Sequence, residues 1–278
     1  MAAHVTADLR CGGRWTSLSL GGREWLWHRD DPRRGQVAPG DPFVDAGGIE
    51  ECVPTIRGLP DHGDAWSRAW RELGNGSAEA DCERFTLRRS IVTGDDVITA
   101  RYRLTADPGY RFVWAAHALL DVSPRAMLSL DGRPEVRLYP EAAALLGRSW
   151  PTGAPFVTAC WPGPDGLRLD RLGPDDGTAV GAIALRCTAV TVCDGSDRLR
   201  LRLHAAGLPV SVALWRNLGG FPDGCPYRSI GVEPMLGSVF DLAEADGAGD
   251  AVTVPETGSV EWELQVAAAS GGDEAGAP

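Results

Sequence analysis

An all-β fold, a sandwich or a barrel, is what the 278-residue sequence predicts, and three observations carry that expectation. Apolar and polar residues alternate wherever a period can be read. Turn formers recur throughout, with 35 Gly and 20 Pro, well above average usage. Helical periodicity is scarce, so few short helices are expected. With 44% hydrophobic and 23% charged residues the chain is globular rather than disordered. Short strands punctuated by Gly, Pro and Asp can reach this size as one domain, here expected over residues 1–278.

Gly47 to Pro54 (GGIEECVP) carries two adjacent carboxylates, and alternation puts one of Glu50 and Glu51 inward and the other into solvent. Leu59 to Trp66 (LPDHGDAW) holds His62 between turn formers, which places it on a loop. Phe85 to Val92 and Val97 to Leu104 flank Thr93-Gly94-Asp95-Asp96 and read as a β-hairpin. Phe112 to Leu120 (FVWAAHALL) is a strongly apolar run interrupted by His117. Pro140 to Arg148 (PEAAALLGR) is the best helical window, opened by a Pro suited to a first turn. Arg198 to Leu203 alternates Arg and Leu, so Leu199, Leu201 and Leu203 share one sheet face and the guanidiniums the other. Ser229 to Met235 (SIGVEPM) is a second apolar run, interrupted by Glu233. Val260, Trp262, Leu264 and Val266 alternate with polar residues near the C-terminus, and Ala267 to Pro278 reads as a frayed tail.

Charge and composition exclude whole classes of function. The 27 basic residues are all Arg, against 38 acidic ones, for a net charge of −11. No basic block exists to meet nucleic acid or an anionic membrane. Without Lys there is no Schiff-base chemistry and no P-loop. The seven Cys are scattered and form no CxxC pair, so no zinc cluster is expected, and reduced, mostly buried thiols in the cytoplasm are the plain reading. The first residues show no basic region followed by an apolar run, hence no secretory signal, and no apolar stretch is long enough to span a bilayer.

Acid and base must then come from His, Asp or Glu. Of the five His, His4 lies near a terminus, His28 in a charged stretch and His204 on the polar phase of its strand; all three read as exposed. For His62 a surface turn is the plain reading. A site is the other, because Trp66 and Trp70 follow at i, i+4 and an indole beside a polar loop can stack on the apolar face of a sugar; the same two indoles also suit a core. His117 reads either as a satisfied core histidine or, with a carboxylate nearby, as an acid or base, since burial disfavours its charged form and a carboxylate restores it. Glu233 is the candidate partner. Pro234 biases it toward an extended backbone and, because Pro within sheets is confined to edges and bulges, places its side chain at a strand end. The alternative is a rim carboxylate accepting backbone N–H bonds.

Together these segments resemble the aldose 1-epimerase (galactose mutarotase-like) superfamily, in particular the branch near the hexose-6-phosphate epimerases. Gly47-Gly48-Ile49 with Cys52 and Pro54, then His62-Gly63, Trp66 and Trp70, are similar to the family's GGIPxCxP and HGxAR(x)nW segments. The His117 strand is similar to its histidine-bearing strand, and Val232-Glu233-Pro234-Met235 to its (V/L)EP segment. The order matches, and the likeness spans about residues 10 to 268.

The resemblance implies a β-supersandwich with a carbohydrate site on its concave face, His117 as general acid, Glu233 as general base on the opposite side of the ring, and His62 as a sugar contact. Trp66, Trp70, Glu51 and Arg57 complete the expected substrate-binding set. No metal or cofactor is implied. The partner is a small carbohydrate or cyclic hemiacetal, the assembly a monomer or homodimer. Three departures bear on the substrate. Trp66 stands where the hexose-phosphate branch has an Arg, which removes a bidentate phosphate contact, although Arg57, Arg68 and Arg71 are near in sequence. Leu119-Leu120 replaces an aromatic pair. The Asn-Arg segment of the galactose-specific branch has no counterpart. The expected function is therefore anomer interconversion of a free sugar. The alternatives are an isomerase or lyase of the same fold acting on another small cyclic substrate in specialised metabolism, and a non-catalytic carbohydrate-binding module.

Overall fold

Alternation of side chains builds the fold, as two C-terminal strands illustrate. Along Asp197–His204 the three leucines are buried, and along Ser259–Ala268 so are Val260, Trp262, Leu264 and Val266. The strands pair antiparallel with Leu201 opposite Val266, so both apolar rows fall on one sheet face. The computed structural model describes residues 2–147, 149–164 and 166–269. Every strand pairing among them is antiparallel, as expected for an all-β galactose mutarotase-like sandwich.

Two large sheets face each other. The first has ten strands, in the order His4–Asp8, Arg14–Leu20, Gly48–Cys52, Trp114–Leu120, Tyr227–Leu236, Val210–Phe221, Thr178–Leu185, Glu135–Leu138 and Val157–Cys160, with Arg23–Glu24 attached to Arg14–Leu20. The second has eight and includes the expected hairpin, Phe85–Thr93 against Val97–Ala106, with Ile91 opposite Ala100. The main apolar core lies between them. Its centre is aromatic: Trp262 stacks on Tyr102 at 5.3 Å and packs against Trp114 at 5.2 Å. A smaller apolar cluster, including Cys52, Ile56, Ala115, Ala213 and Met235, lies on the other face of the first sheet.

Helical structure among the described residues is confined to four short 3-10 turns. The expected helix from Pro140 is one of them, Pro140–Leu145. Its Pro sets the first turn, but a segment this short cannot sustain α-helix without an amphipathic face to pack, and Gly147 follows with a positive φ of 59°; Arg148 lies outside the described residues. The expected tail begins later than the sequence suggests. Ala267 and Ala268 belong to the last strand, where Ala267 pairs with both Val97 and Arg200, and 270–278 lie outside the described residues. No helix is long and apolar enough to cross a membrane among the described residues.

Candidate active site

The phase of each strand decides which side chains reach the outer face of the first sheet. On Trp114–Leu120, Trp114, Ala116 and Ala118 enter the inter-sheet core, so Ala115 and His117 point out. Glu50 stands directly opposite His117 on one side. On the other side Ala115 faces Met235 and Leu119 faces Gly231, which brings Glu233 level with His117. Glu233 is therefore in the interior of a central strand, Tyr227–Leu236, and not at a strand end as the proline rule suggests. The sheet accommodates Pro234 by a local break: the ladder to the His117 strand is paired at Ala115 and again at Leu119, and open in between, where the proline has no N–H to donate.

His117 Nε2 lies 3.7 Å from Glu233 Oε1. The two stand side by side on neighbouring strands, at the floor of a cleft of about 990 Å³. His117 is 7% exposed and Glu233 2%, and neither His117 Nδ1 nor Glu233 Oε2 has a hydrogen-bond partner. Burial pushes the His117 imidazole below its ordinary pKa, with the Glu233 charge pulling the other way. Burial likewise raises Glu233 from its ordinary value, against the pull of His117 and Arg57. The Glu233 carboxylate has room because residue 231 is Gly: a Cβ there would stand 2.5 Å from Glu233 Oε1 and 3.0 Å from the Cβ of Trp215.

His62 approaches the same point from a loop. Its φ of +57° and the +82° of Gly63 turn the chain tightly, and a Cβ on Gly63 would collide with the Val53 carbonyl at 2.1 Å. The imidazole lies flat on Phe43 (3.7 Å between centroids) and edge-on to His117 (5.2 Å). Asp61 Oδ1 is 2.8 Å from His62 Nδ1, and Asp61 Oδ2 accepts the Phe43 backbone N–H. Burial pushes Asp61 up, but these hydrogen bonds and the His62 charge outweigh it and hold the carboxyl below its usual range. An ionised Asp61 requires the proton on Nδ1, leaving Nε2 for another partner.

No protein-family model and no curated protein matches the sequence. Solved structures do. An Escherichia coli K12 protein provisionally called an aldose 1-epimerase is 14% identical, with 97% of this chain and 96% of that one covered and a TM-score of 0.68. A galactose mutarotase-like protein from Lactobacillus casei is 16% identical over 96% of this chain and 97% of its own, with a TM-score of 0.63. The Slr1438 protein from Synechocystis is 15% identical over 97% and 92%, with a TM-score of 0.66. The chain has the galactose mutarotase-like fold.

Within this mutarotase-like frame, the sequence-derived residues divide. His117, Glu233, His62 and Arg57 all line the cleft. Arg57 donates from Nη2 to Glu141 Oε1 at 2.5 Å and lies over the Phe240 ring, in space that Gly181 leaves by lacking a Cβ. Trp66 and Trp70 do not line it. Trp66 lies on a buried 3-10 turn, Ala65–Ser67, and Trp70 follows after that turn has ended, so the i, i+4 spacing is not on a helix. The Trp66 indole donates to the Asp61 carbonyl and backs the edge of Phe43, while Trp70 packs in the inter-sheet core beneath the Arg89 guanidinium. Nor does Glu51 reach the cleft, because its phase points between the sheets, where Arg89, Tyr102 and Trp114 all donate to it. Glu50, on the outward phase, is buried rather than solvated: Arg34 grips both its oxygens at 2.9 Å, and burial, opposed by that guanidinium, pushes its pKa up to about 7. Arg68 and Arg71 are engaged by Asp64 and Glu79 away from the cleft. Sequence reasoning missed Phe43, Asp61 as the His62 partner, and Trp215. Only Asp61, adjacent to His62, carried a local signal.

Proposed function

We propose that this chain is a cofactor-independent aldose 1-epimerase, interconverting the anomers of a free sugar or a related cyclic hemiacetal. The observation that supports it is one proton donor and one proton acceptor 3.7 Å apart at the floor of a cleft. The anomeric oxygen and the ring oxygen share one carbon, so groups this close can serve both from the same edge of the ring. Glu233 removes the proton of the anomeric hydroxyl, and the O–H electrons become the new C=O. The bond from the anomeric carbon to the ring oxygen breaks, and its electrons take the proton that His117 donates. Rotation of the aldehyde and reclosure with the roles reversed gives the other anomer.

Burial assists this exchange. Ring opening converts an ion pair, HisH⁺ and Glu⁻, into a neutral pair, and the desolvation that lowers one pKa and raises the other narrows the gap between those two states. His62, fixed by Asp61 and Phe43, holds a further sugar oxygen. The test is polarimetry on freshly dissolved α-D-glucose and α-D-galactose. Wild-type protein is expected to accelerate anomerisation over buffer, and His117→Ala or Glu233→Gln to lower that gain by roughly 10²–10⁴-fold, the usual contribution of a general acid or base. An unchanged rate in either variant would remove the proposal.

A further inference from the structure

The cleft is larger, more aromatic and more acidic than a monosaccharide or a sugar phosphate needs. Its volume of about 990 Å³ sits at the top of the roughly 300–1,000 Å³ range of sites that enclose drug-sized ligands. Among the described residues its arginines are Arg29, Arg33 and Arg57, against six carboxylates. Two of the three are ion-paired, Arg57 with Glu141 and Arg33 with Asp31, and Arg29 lies over the Tyr227 ring. Among the described residues of the cleft, carboxylates therefore outnumber guanidiniums two to one, which disfavours a phosphate dianion.

An apolar wall starts at the Glu233 carboxylate. Trp215 faces Gly231 across the strand pair, and its Cβ and Glu233 Oε1 lie within 3.0 and 2.5 Å of one point, where a Cβ on Gly231 would stand. Phe221, at the end of the same strand, meets the Trp215 ring edge-on at 5.6 Å and is 50% exposed. Both line the cleft. An exposed Phe beside a half-buried Trp, continuous with the proposed acid–base pair, is a surface that a flat apolar group would cover.

We infer that the Trp215–Phe221 wall is a subsite for a neutral aromatic or similarly apolar substituent, so that the preferred substrate is an unphosphorylated cyclic hemiacetal carrying such a group. This rests on the epimerase reading, which it deepens by naming the substrate class. The test compares kcat/KM for anomerisation of D-glucose, D-glucose 6-phosphate, 2-O-benzyl-D-glucose and 6-O-benzyl-D-glucose. At least one benzyl ether is expected to exceed glucose by about tenfold, the return on one stacked ring, with the phosphate the poorest. Phe221→Ala, at a half-exposed position with little packing to lose, is expected to collapse the ratio of benzyl ether to glucose toward one, with thermal melting verifying the fold. Equal values for glucose and both ethers, a preference for the phosphate, or a ratio unmoved in Phe221→Ala would overturn the inference.

A binding arm separates this inference from the reading beneath it. Benzyl β-D-glucoside and methyl β-D-glucoside are locked acetals that cannot open, so their affinities in a ligand-detected NMR titration report the wall alone. Tighter binding of the benzyl glycoside without turnover of any reducing sugar would keep the subsite and discard the epimerase. Turnover of glucose with no benzyl preference in either arm would do the reverse.

Discussion

At the residue scale, the two central groups were legible because each interrupts an apolar run: His117 in FVWAAHALL and Glu233 in SIGVEPM. A polar side chain held in such a run is desolvated, and that shifts its pKa in a stated direction. For Glu233 the folded value is raised. The folded protein therefore holds the proton more tightly than the unfolded chain, and stability declines as pH climbs from the ordinary carboxylate range through the raised value. His117 acts at the other end: its folded value is lowered, so stability declines as pH drops through the imidazole range. Glu233→Gln is expected to raise the melting temperature by a few degrees at pH 8, with the gain shrinking toward pH 4, while activity is lost. A melting shift of the same size at both pH values would contradict the assignment. Phe43 and Trp215 were not legible, since a lone aromatic in a mixed segment looks the same on either face of a sheet.

At the element scale, strands were readable where both phases differ in polarity, as in Arg198 to Leu203, and misread where they do not. Glu50 and Glu51 give the two phases the same chemistry, so alternation alone could not say that Glu51 points between the sheets and Glu50 beneath Arg34. The i, i+4 tryptophans were misleading for a related reason: helical spacing has meaning only on a helix, and here the chain makes a single 3-10 turn. Gly231 shows what a strand position can contribute without a side chain. Its backbone is ordinary, outside the left-handed region, and only the missing Cβ matters. Gly231→Ala is expected to leave the fold melting within a few degrees of wild type while displacing the carboxylate, lowering kcat roughly 10²-fold as misplacements of about 1 Å do. Steady-state kinetics alongside a melting curve checks this, and an undiminished kcat would show that the carboxylate position is not limiting.

At the scale of the whole molecule, the all-β class was legible from composition and period, but the strand order was not. The central neighbours of the first sheet, Gly48–Cys52, Trp114–Leu120 and Tyr227–Leu236, are far apart in sequence, and no local pattern states which strands will pair. That pairing makes the candidate site, because it sets His117 between Glu50 and Glu233. A buried polar node fixes the two sheets to each other behind it: Glu51 and Trp114 from the first sheet, Arg89 and Tyr102 from the second. Removing one partner from such a buried charged network costs about 3–5 kcal/mol, which ties the rigidity of the His117 strand to the packing of the whole sandwich.

The central claim is that His117 and Glu233 exchange protons with one substrate in one step. Two-dimensional exchange NMR on the α and β signals of a sugar at equilibrium, with wild type, His117→Ala, Glu233→Gln and the double variant, tests it most directly. Groups that act as a unit give non-additive losses. Each single variant is expected to remove nearly all of the enzymatic exchange rate and the double variant to remove no more than the worse single one. Independent, multiplying losses, or an exchange rate preserved in either single variant, would contradict it.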